Sequence, residues 1–515
     1  MHSKIFSATT VGVDAQLVEV EVDISYGLVN FYIVGLPDAA IRESSKRILA
    51  ALKNCGISLP AKKITVNLAP ADLKKEGTVF DLPIAIGILQ ASGILSIEKK
   101  LIEQTLFLGE LSLNGTIRSI KGALSVAYDA YRMGKKQIIL PANNCKEASL
   151  IKGLEVIGID HLTDLIAFLR NEKPITPTQF SFHEQKITPK KKLDYAQVKG
   201  QKYAKRALQI SAAGRHNILF IGPPGSGKTM LAQRLPSIMP RMNFNEILES
   251  TKIYSISGKL KQKELSFERP FRNPHHSISQ AGLIGGGSYP QPGELSLSHH
   301  GILFLDELTE FKRETLEALR QPLENKKVSI ARVHQSISFP ASVLLVAALN
   351  PCPCGFLGDK KRQCYCSKQQ ISRYLNKLSG PLLDRIDLQI NVQSVAYDTI
   401  THIEAEPLSS HTMYQSVKKA LLMQYNRFGT TTKYNNSMDA DEIEKYCILS
   451  NEGKEIIKKA FDKLNLTMRG YHKIMKVART IADLEQAEYI EAKHIKEAIM
   501  YRSLDKYLEQ QRMSY

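Results

Sequence analysis

Eight residues, Gly222-Pro223-Pro224-Gly225-Ser226-Gly227-Lys228-Thr229, fit the spacing G-x-x-x-x-G-K-[ST] and directly follow the apolar run Ile218-Leu219-Phe220-Ile221. Glycines so placed let backbone N–H groups curl around phosphate oxygens, and a helix starting at the lysine adds its positive end. Lys228 would reach the outer phosphates of a nucleoside triphosphate and Thr229 would hold magnesium. Further along, the run Ile302-Leu303-Phe304-Leu305 ends in Asp306-Glu307. Asp306 would orient the magnesium ion and its waters, while Glu307 would act as general base on the attacking water. The expected chemistry is therefore hydrolysis and not binding alone. A third apolar run, Val343 to Leu349, ends in Asn350, whose amide could reach the water beside the γ-phosphate. An asparagine before Pro351 also fits a plain turn. Four cysteines, Cys352, Cys354, Cys364 and Cys366, form C-x-C-x9-C-x-C and could close a tetrahedral zinc site of the structural kind. The C-x-C spacing is tighter than the usual C-x2-C, so four reduced thiols on a loop is the competing reading.

These groups need elements to position them. Between residue 193 and about 397, short apolar strands (Asn217–Ile221, Gly301–Leu305, Val343–Leu349) alternate with helical stretches such as Met230 to Leu235, the pattern of a parallel sheet wrapped by helices. Upstream, residues 1–170 mix strand runs such as Ile64–Leu68 with helical ones such as Leu82 to Gln90. Asn114-Gly115 marks a hairpin turn between Leu106–Leu113 and Thr116–Ile120, and an α+β domain is expected. Pro174, Pro177, Pro189 and Lys190-Lys191-Lys192 mark residues 171–192 as a linker. From 398 to 515 glycine and proline thin out, and Glu452–Leu464, Tyr471–Glu488 and Glu491–Leu508 carry helical periodicity, so the last domain is expected to be a helical lid.

The order of these elements resembles the magnesium-chelatase-like AAA+ family. It is carried by Val198-Lys199-Gly200-Gln201, Arg272-Asn273-Pro274-His275-His276, Leu283-Ile284-Gly285-Gly286-Gly287-Ser288, Asn350-Pro351-Cys352-Pro353-Cys354-Gly355, Leu382-Leu383-Asp384-Arg385-Ile386-Asp387 and Met468-Arg469-Gly470-Tyr471. The resemblance implies an AAA+ P-loop core binding ATP and Mg2+ between the subunits of a homo-hexameric ring. Arg385 would enter the next subunit's site as an arginine finger, and Arg469 would close over the phosphates from the lid. Arginine suits both roles because its charge is permanent and its fork spans phosphate oxygens. Either residue taken alone reads equally as a surface ion-pair partner. The resemblance also implies a helicase or branch-migration motor on single-stranded and branched DNA in natural transformation and homologous recombination, with recombination proteins as possible partners.

The first domain resembles the protease domain of Lon, a fold of the ribosomal S5 domain 2 type. In Lys75-Glu76-Gly77-Thr78-Val79-Phe80-Asp81-Leu82, Phe80 falls at the nucleophile position, and Leu124 falls on or near that of the activating lysine. A phenyl ring cannot attack a carbonyl and a leucine cannot accept a proton, so proteolysis is not expected. The domain reads instead as a DNA-binding or ring-organising module.

The charge balance agrees with a polyanionic partner: 69 Lys and Arg against 51 Asp and Glu give +18 over 515 residues. Lys326-Lys327-Val328-Ser329-Ile330-Ala331-Arg332-Val333-His334-Gln335-Ser336-Ile337-Ser338 alternates like two strands around a polar tip. In related ring motors of the MCM and chelatase group such a hairpin faces the pore, beside a loop that here would be Ser277 to Glu294. Lys326, Lys327, Arg332 and His334 would then hold a DNA backbone without reading its sequence. Lys186 to Arg206 and the cations Lys360, Lys361, Arg362, Lys368 and Arg373 are further basic runs; solvated surface charge is the alternative for all of them. The seven cysteines are an odd number without the look of a secreted disulfide framework. With no basic, apolar leader and no run long enough to span a bilayer, a cytoplasmic protein with no membrane partner is expected. A chelatase-type or chaperone-like ATPase that remodels a protein partner is the second functional reading, and a degenerate protease the third.

Overall fold

The computed structural model describes residues 2–180, 193–260, 268–287, 290–331, 336–359, 362–395, 407–464 and 466–502. The described residues form two compact units, one drawn from 1–187, 244–266 and 331–339, the other from 188–243, 267–330 and 340–515.

In the first unit, β1 (His2–Val11), β2 (Asp14–Ser25), β3 (Phe31–Val34) and β4 (Lys63–Ala69) make a sheet of order β1-β2-β4-β3. Alternate residues of β2 and β4 are buried, so one face of the sheet is core and the other is half-exposed. The core side receives helix Asp81–Ala91, which is apolar all round and buried along nearly its whole length, as a central helix must be. Helix Ala39–Asn54 is started by Asp38, whose carboxylate accepts from Ile41 N at 2.8 Å. A second, parallel sheet orders β5 (Thr105–Phe107), β8 (Gln137–Pro141) and β9 (Glu155–Ile159) as β5-β8-β9. Between them, β6 (Glu110–Leu111) and β7 (Ile117–Arg118) pair antiparallel around the expected Asn114-Gly115 turn. Phe80 and Leu124, the two positions aligned with a protease dyad, are fully buried apolar core. The helix Phe244–Ile256 also belongs to this unit.

The second unit is built on β10 (Ile218–Ile221), β11 (Phe271–Arg272), β12 (Gly285–Gly286), β13 (Gln291–Pro292), β14 (Ile302–Leu305), β15 (Lys327–Ala331), β16 (Ser336–Pro340), β17 (Leu344–Leu349) and β18 (Leu388–Asn391), although the far end of the β15–β16 hairpin groups with the first unit. Five of these form a parallel sheet of order β11-β14-β17-β10-β18. Every residue of β10, β14 and β17 is buried, which explains their unbroken apolar sequences: helices cover both faces. The three candidate site segments lie at the C-terminal ends of three neighbouring strands, where an open parallel sheet places ligands. The expected helical lid is present as Ser410–Phe428, Ala440–Tyr446, Asn451–Leu464, Met468–Leu484 and Ala492–Met500. It shares one hydrophobic core with the sheet, Val417, Ile474 and Ile481 clustering with Ile218, Phe220 and Val346. Asp483, fully buried there, accepts from Arg427 and Asn435 at 2.8 Å and from Arg479 at 3.1 Å. A buried carboxylate is tolerable only with such partners.

Candidate nucleotide site

Strand β10 ends against β18, Val392 N donating to Ile221 O at 2.7 Å, and the chain must turn at once. Gly222 is demanded by that closeness, since a Cβ there would lie 2.1 Å from Val392 O. Gly225 and Gly227 have φ of +75° and +94°, which glycine adopts without the cost other residues bear. Helix Lys228–Gln233 starts from Gly227. Lys228 Nζ donates to the carbonyls of Gly222 at 2.7 Å and Pro223 at 2.9 Å and to Asn350 Oδ1 at 3.1 Å. Burial lowers the pKa of this ammonium, while Asp306 and Glu307 pull it back up.

Thr229 Oγ1 donates to Asp306 Oδ2 at 2.6 Å, so the two residues expected to share magnesium already touch. Asp306 Oδ1 accepts from Glu307 N at 3.0 Å. Glu307 stands at the rim with φ +53°, the kind of backbone strain that gathers at functional sites, and its carboxylate lies 3.4 Å from His276 Nδ1. Lys228, Thr229, Asp306, Glu307 and Asn350 thus meet at the ends of β10, β14 and β17. The residues present fit ATP with magnesium: a backbone cradle, a cation for the outer phosphates, a hydroxyl and carboxylate for the metal, and a second carboxylate for water.

Comparison with known proteins gives the same lineage along the whole chain. Residues 194–400 match the family described as magnesium chelatase, subunit ChlI; residues 20–144 match the subunit ChlI of Mg-chelatase; residues 407–502 match the ChlI C-terminal family. Competence protein ComM of Haemophilus influenzae is 43% identical over 98% of both chains, and YifB of Escherichia coli is 41% identical over 98% of both. The chain belongs to the magnesium-chelatase-like AAA+ family, ComM and YifB type. A more distant similarity, 21% identity over 58% of this chain and 33% of the relative, reaches the zygotic DNA replication licensing factor mcm6 of Xenopus tropicalis. With the family comes the coarse chemistry: the protein is an AAA+ ATPase that uses ATP and Mg2+.

The remaining sequence-singled residues lie in several places. Arg385, the finger candidate, is held by its own chain: Nε donates to Arg320 O at 3.0 Å, Nη1 to Pro381 O at 2.7 Å and Nη2 to Glu324 at 2.5 Å. Arg469 is exposed in the first turn of helix Met468–Leu484. Lys326 (φ +54°) and Lys327 stand exposed at the base of the β15–β16 hairpin, while Arg332 and His334, at its tip, lie outside the described residues. Lys326 is exposed as a residue, yet its ammonium is crowded by surrounding protein: partial desolvation, then the nearby cations Arg215, Lys476 and Lys433, lower its pKa. The loop after β11 carries a short helix, Gln280–Ile284, before β12 and β13 pair.

The four sulfurs of the cysteine loop all lie within 4.8 Å of one another. Cys352, Cys354 and Cys364 are separated by 3.4, 3.6 and 3.6 Å. Gly355, with φ +83°, is packed so that a Cβ would sit 2.6 Å from Pro224 Cδ, which seats this loop directly on the phosphate loop.

Three contributors had no assigned role in the sequence. Gln201 Nε2 donates to Ser226 O at 3.3 Å and Gln393 O at 2.7 Å, stitching the phosphate loop to the chain after β18. Asn217 donates to Arg385 O at 2.8 Å and accepts from Leu345 N at 2.9 Å, linking β17 to the segment that carries Arg385. His276 faces Glu307. Gln201 and His276 lie in family motifs already quoted, so the signal was present without its geometry; Asn217 carried none, because an asparagine opening a strand is common.

Proposed function

We propose that the protein is an ATP-driven DNA motor that works in the cytoplasm as a homo-hexameric ring on single-stranded and branched DNA, driving branch migration when incoming strands are integrated. The observation that carries the reading is the linked set Lys228, Thr229, Asp306, Glu307 and Asn350 at the sheet edge, in a chain of charge +18. A competence protein and a DNA replication licensing factor among the relatives support DNA as the partner. No helix among the described residues is long and apolar enough to cross a membrane.

In this reading ATP lies on the Gly222–Thr229 loop, with the Lys228 ammonium exchanging its carbonyl partners for the outer phosphates. Thr229 and Asp306 hold magnesium, which screens phosphate charge when bound. Asn350 orients water and Glu307 accepts its proton. Arg385 leaves Glu324 for the neighbour's γ-phosphate, and Arg469 closes from the lid. Lys326, Lys327, Arg332 and His334 hold DNA phosphates. Cys352, Cys354, Cys364 and Cys366 hold one structural zinc, their sulfur spacing being the feature that fits a tetrahedral ion. The deciding experiment measures ATP hydrolysis alone, with single-stranded DNA and with forked DNA. Stimulation by both DNAs is expected; equal rates in all three would refute the DNA reading and favour a protein-remodelling ATPase.

A further inference from the structure

The largest concentration of exposed apolar side chains among the described residues lies far in sequence from the nucleotide site, between β2 and the end of β3. Tyr26 is 89% exposed, Leu28 92%, Val29 71% and Tyr32 46%. Strand β3 is the sheet's edge, bonded to β4 on one side only. Packing explains its inward residues, Phe31 and Ile33, which join the core, but gives no account of the outward ones.

Each exposed ring is accompanied by a cation. Lys62 Nζ lies 4.5 Å from the centre of the Tyr26 ring and Lys63 Nζ 5.3 Å from that of Tyr32. Asn30 holds the second ring in place, its side-chain Nδ2 donating to Tyr32 Oη at 2.8 Å while its side-chain Oδ1 accepts from Phe31 N at 2.8 Å. The carboxylates on the same sheet face, Glu21 and Asp23, stand across β4 on β2, and Glu21 already accepts from Asn67 at 2.8 Å. The patch is therefore not a plain apolar face: it offers aromatic surface and ammonium groups side by side, with the acids set back.

We propose that the β2–β3 turn and the β3 edge, through Tyr26, Tyr32, Lys62 and Lys63, form a binding platform for single-stranded DNA on the first unit. A single strand presents both things this surface matches, unpaired bases to stack on the rings and phosphates for the ammonium groups, without any need to read sequence. The free faces of the rings receive bases, and Lys62 and Lys63 swing from ring to phosphate. A second copy of the chain fits less well, because lysines beside an open edge are what keep strands from pairing edge to edge. Duplex DNA fits less well too, since its bases are already stacked. The inference rests on the DNA reading of the protein and adds a second grip, separate from the β15–β16 hairpin.

The 515-residue chain contains no tryptophan, so Tyr26→Trp introduces a single indole that reports on this patch alone. Its emission is expected to fall saturably on addition of oligothymidylate. Adding Lys62→Gln and Lys63→Gln is expected to move the midpoint to higher DNA concentration and flatten its dependence on salt. Tyr26→Ala with Tyr32→Ala should weaken binding of a dye-labelled oligothymidylate about tenfold or more per ring, with duplex affected less. All four side chains are exposed or at the surface, so the variants should fold.

Labelled oligonucleotide that binds while the indole emission stays constant would overturn the platform and leave the motor reading standing. No binding of any DNA by the unmodified chain would overturn both. Emission that changes with protein concentration or with anionic vesicles, and not with oligothymidylate, would assign the patch to a second copy or to lipid and equally overturn the proposal.

Discussion

Removing zinc should loosen the 352–366 loop more than it weakens nucleotide binding, and the size of the effect can be worked from the sulfurs. A regular tetrahedron with Zn–S of about 2.3 Å has an S–S edge of about 3.8 Å. Cys352, Cys354 and Cys364 are 3.4, 3.6 and 3.6 Å apart, so closing these three on an ion asks for shifts of a few tenths of an ångström. A site so nearly formed spends little of the metal's binding energy on rearrangement. In small zinc modules that energy, roughly 10–16 kcal/mol, is the folding energy itself. Here Cys352 belongs to the core beside β14 and β17, so the fold should outlast the metal and only the loop should open.

Protein prepared without chelator should carry about one zinc per chain by elemental analysis, a four-thiolate site holding one ion. Cys364→Ser should lose most of it. Burial pushes the Cys352 thiol up to about 12, while the backbone hydrogen bond from Phe356 brings its neighbour Cys354 down to about 6; metal binding releases the protons that the thiols still carry, so zinc affinity should rise with pH. Because Gly355 rests on Pro224, stripping the metal should raise the KM for ATP a few-fold and expose the loop to protease while kcat changes less. Zinc content near zero, or Cys364→Ser retaining its full share, would refute the reasoning.

Lys228→Ala should abolish ATP binding, since the loop has no second cation for the outer phosphates, whereas Glu307→Gln should bind ATP and hydrolyse it poorly; equilibrium binding and turnover measured side by side check both. Arg385→Ala should leave nucleotide affinity of the monomer intact and lower hydrolysis in the assembled protein by about 10³–10⁵, the worth of an arginine finger elsewhere. Mixing it with Lys228→Ala should restore some turnover at interfaces that combine two intact halves, and absence of rescue at every ratio would argue against a shared site. Neutralising Lys327 and Arg332 together should stop strand displacement on forked DNA while DNA-free ATPase survives. Each lost phosphate contact should also flatten the log affinity against log salt by somewhat under about one unit; wild-type unwinding by this variant would point the grip to Ser277–Glu294 instead.

The meeting of the candidate nucleotide-site residues was legible because its signals are local. A glycine loop, a hydrophobic strand and a terminal carboxylate each sit within a few residues, and the parallel sheet brings β10, β14 and β17 side by side without further information. The strands were legible for the same reason, being buried on both faces and so written as unbroken apolar runs. What escaped depends on partners distant in sequence. The Asn217 amide bonds both Arg385 O and Leu345 N, over 168 and 128 residues of separation, and no spacing rule connects them. The seat of the cysteine loop on Pro224 escaped likewise, because Gly355 reads as a turn glycine until its missing Cβ is seen to be the space Pro224 fills. The helical region offers a further case: its periodicity announced helices, yet an apolar stripe does not say what it packs on, and only the structure places Ile474 and Ile481 in one core with β10. That shared core offers the motor reading a physical route: a displacement of the phosphate loop that follows β10 would pass through the same packed layer to helix Met468–Leu484, whose first turn carries Arg469. Close packing carries such displacement without loss to soft neighbours. Substituting Ile481→Ala, which opens a cavity in that layer costing about 2–5 kcal/mol, should therefore reduce DNA-stimulated hydrolysis more than ATP affinity. Equal losses in both would mean that the lid merely completes the binding site and conveys nothing from it.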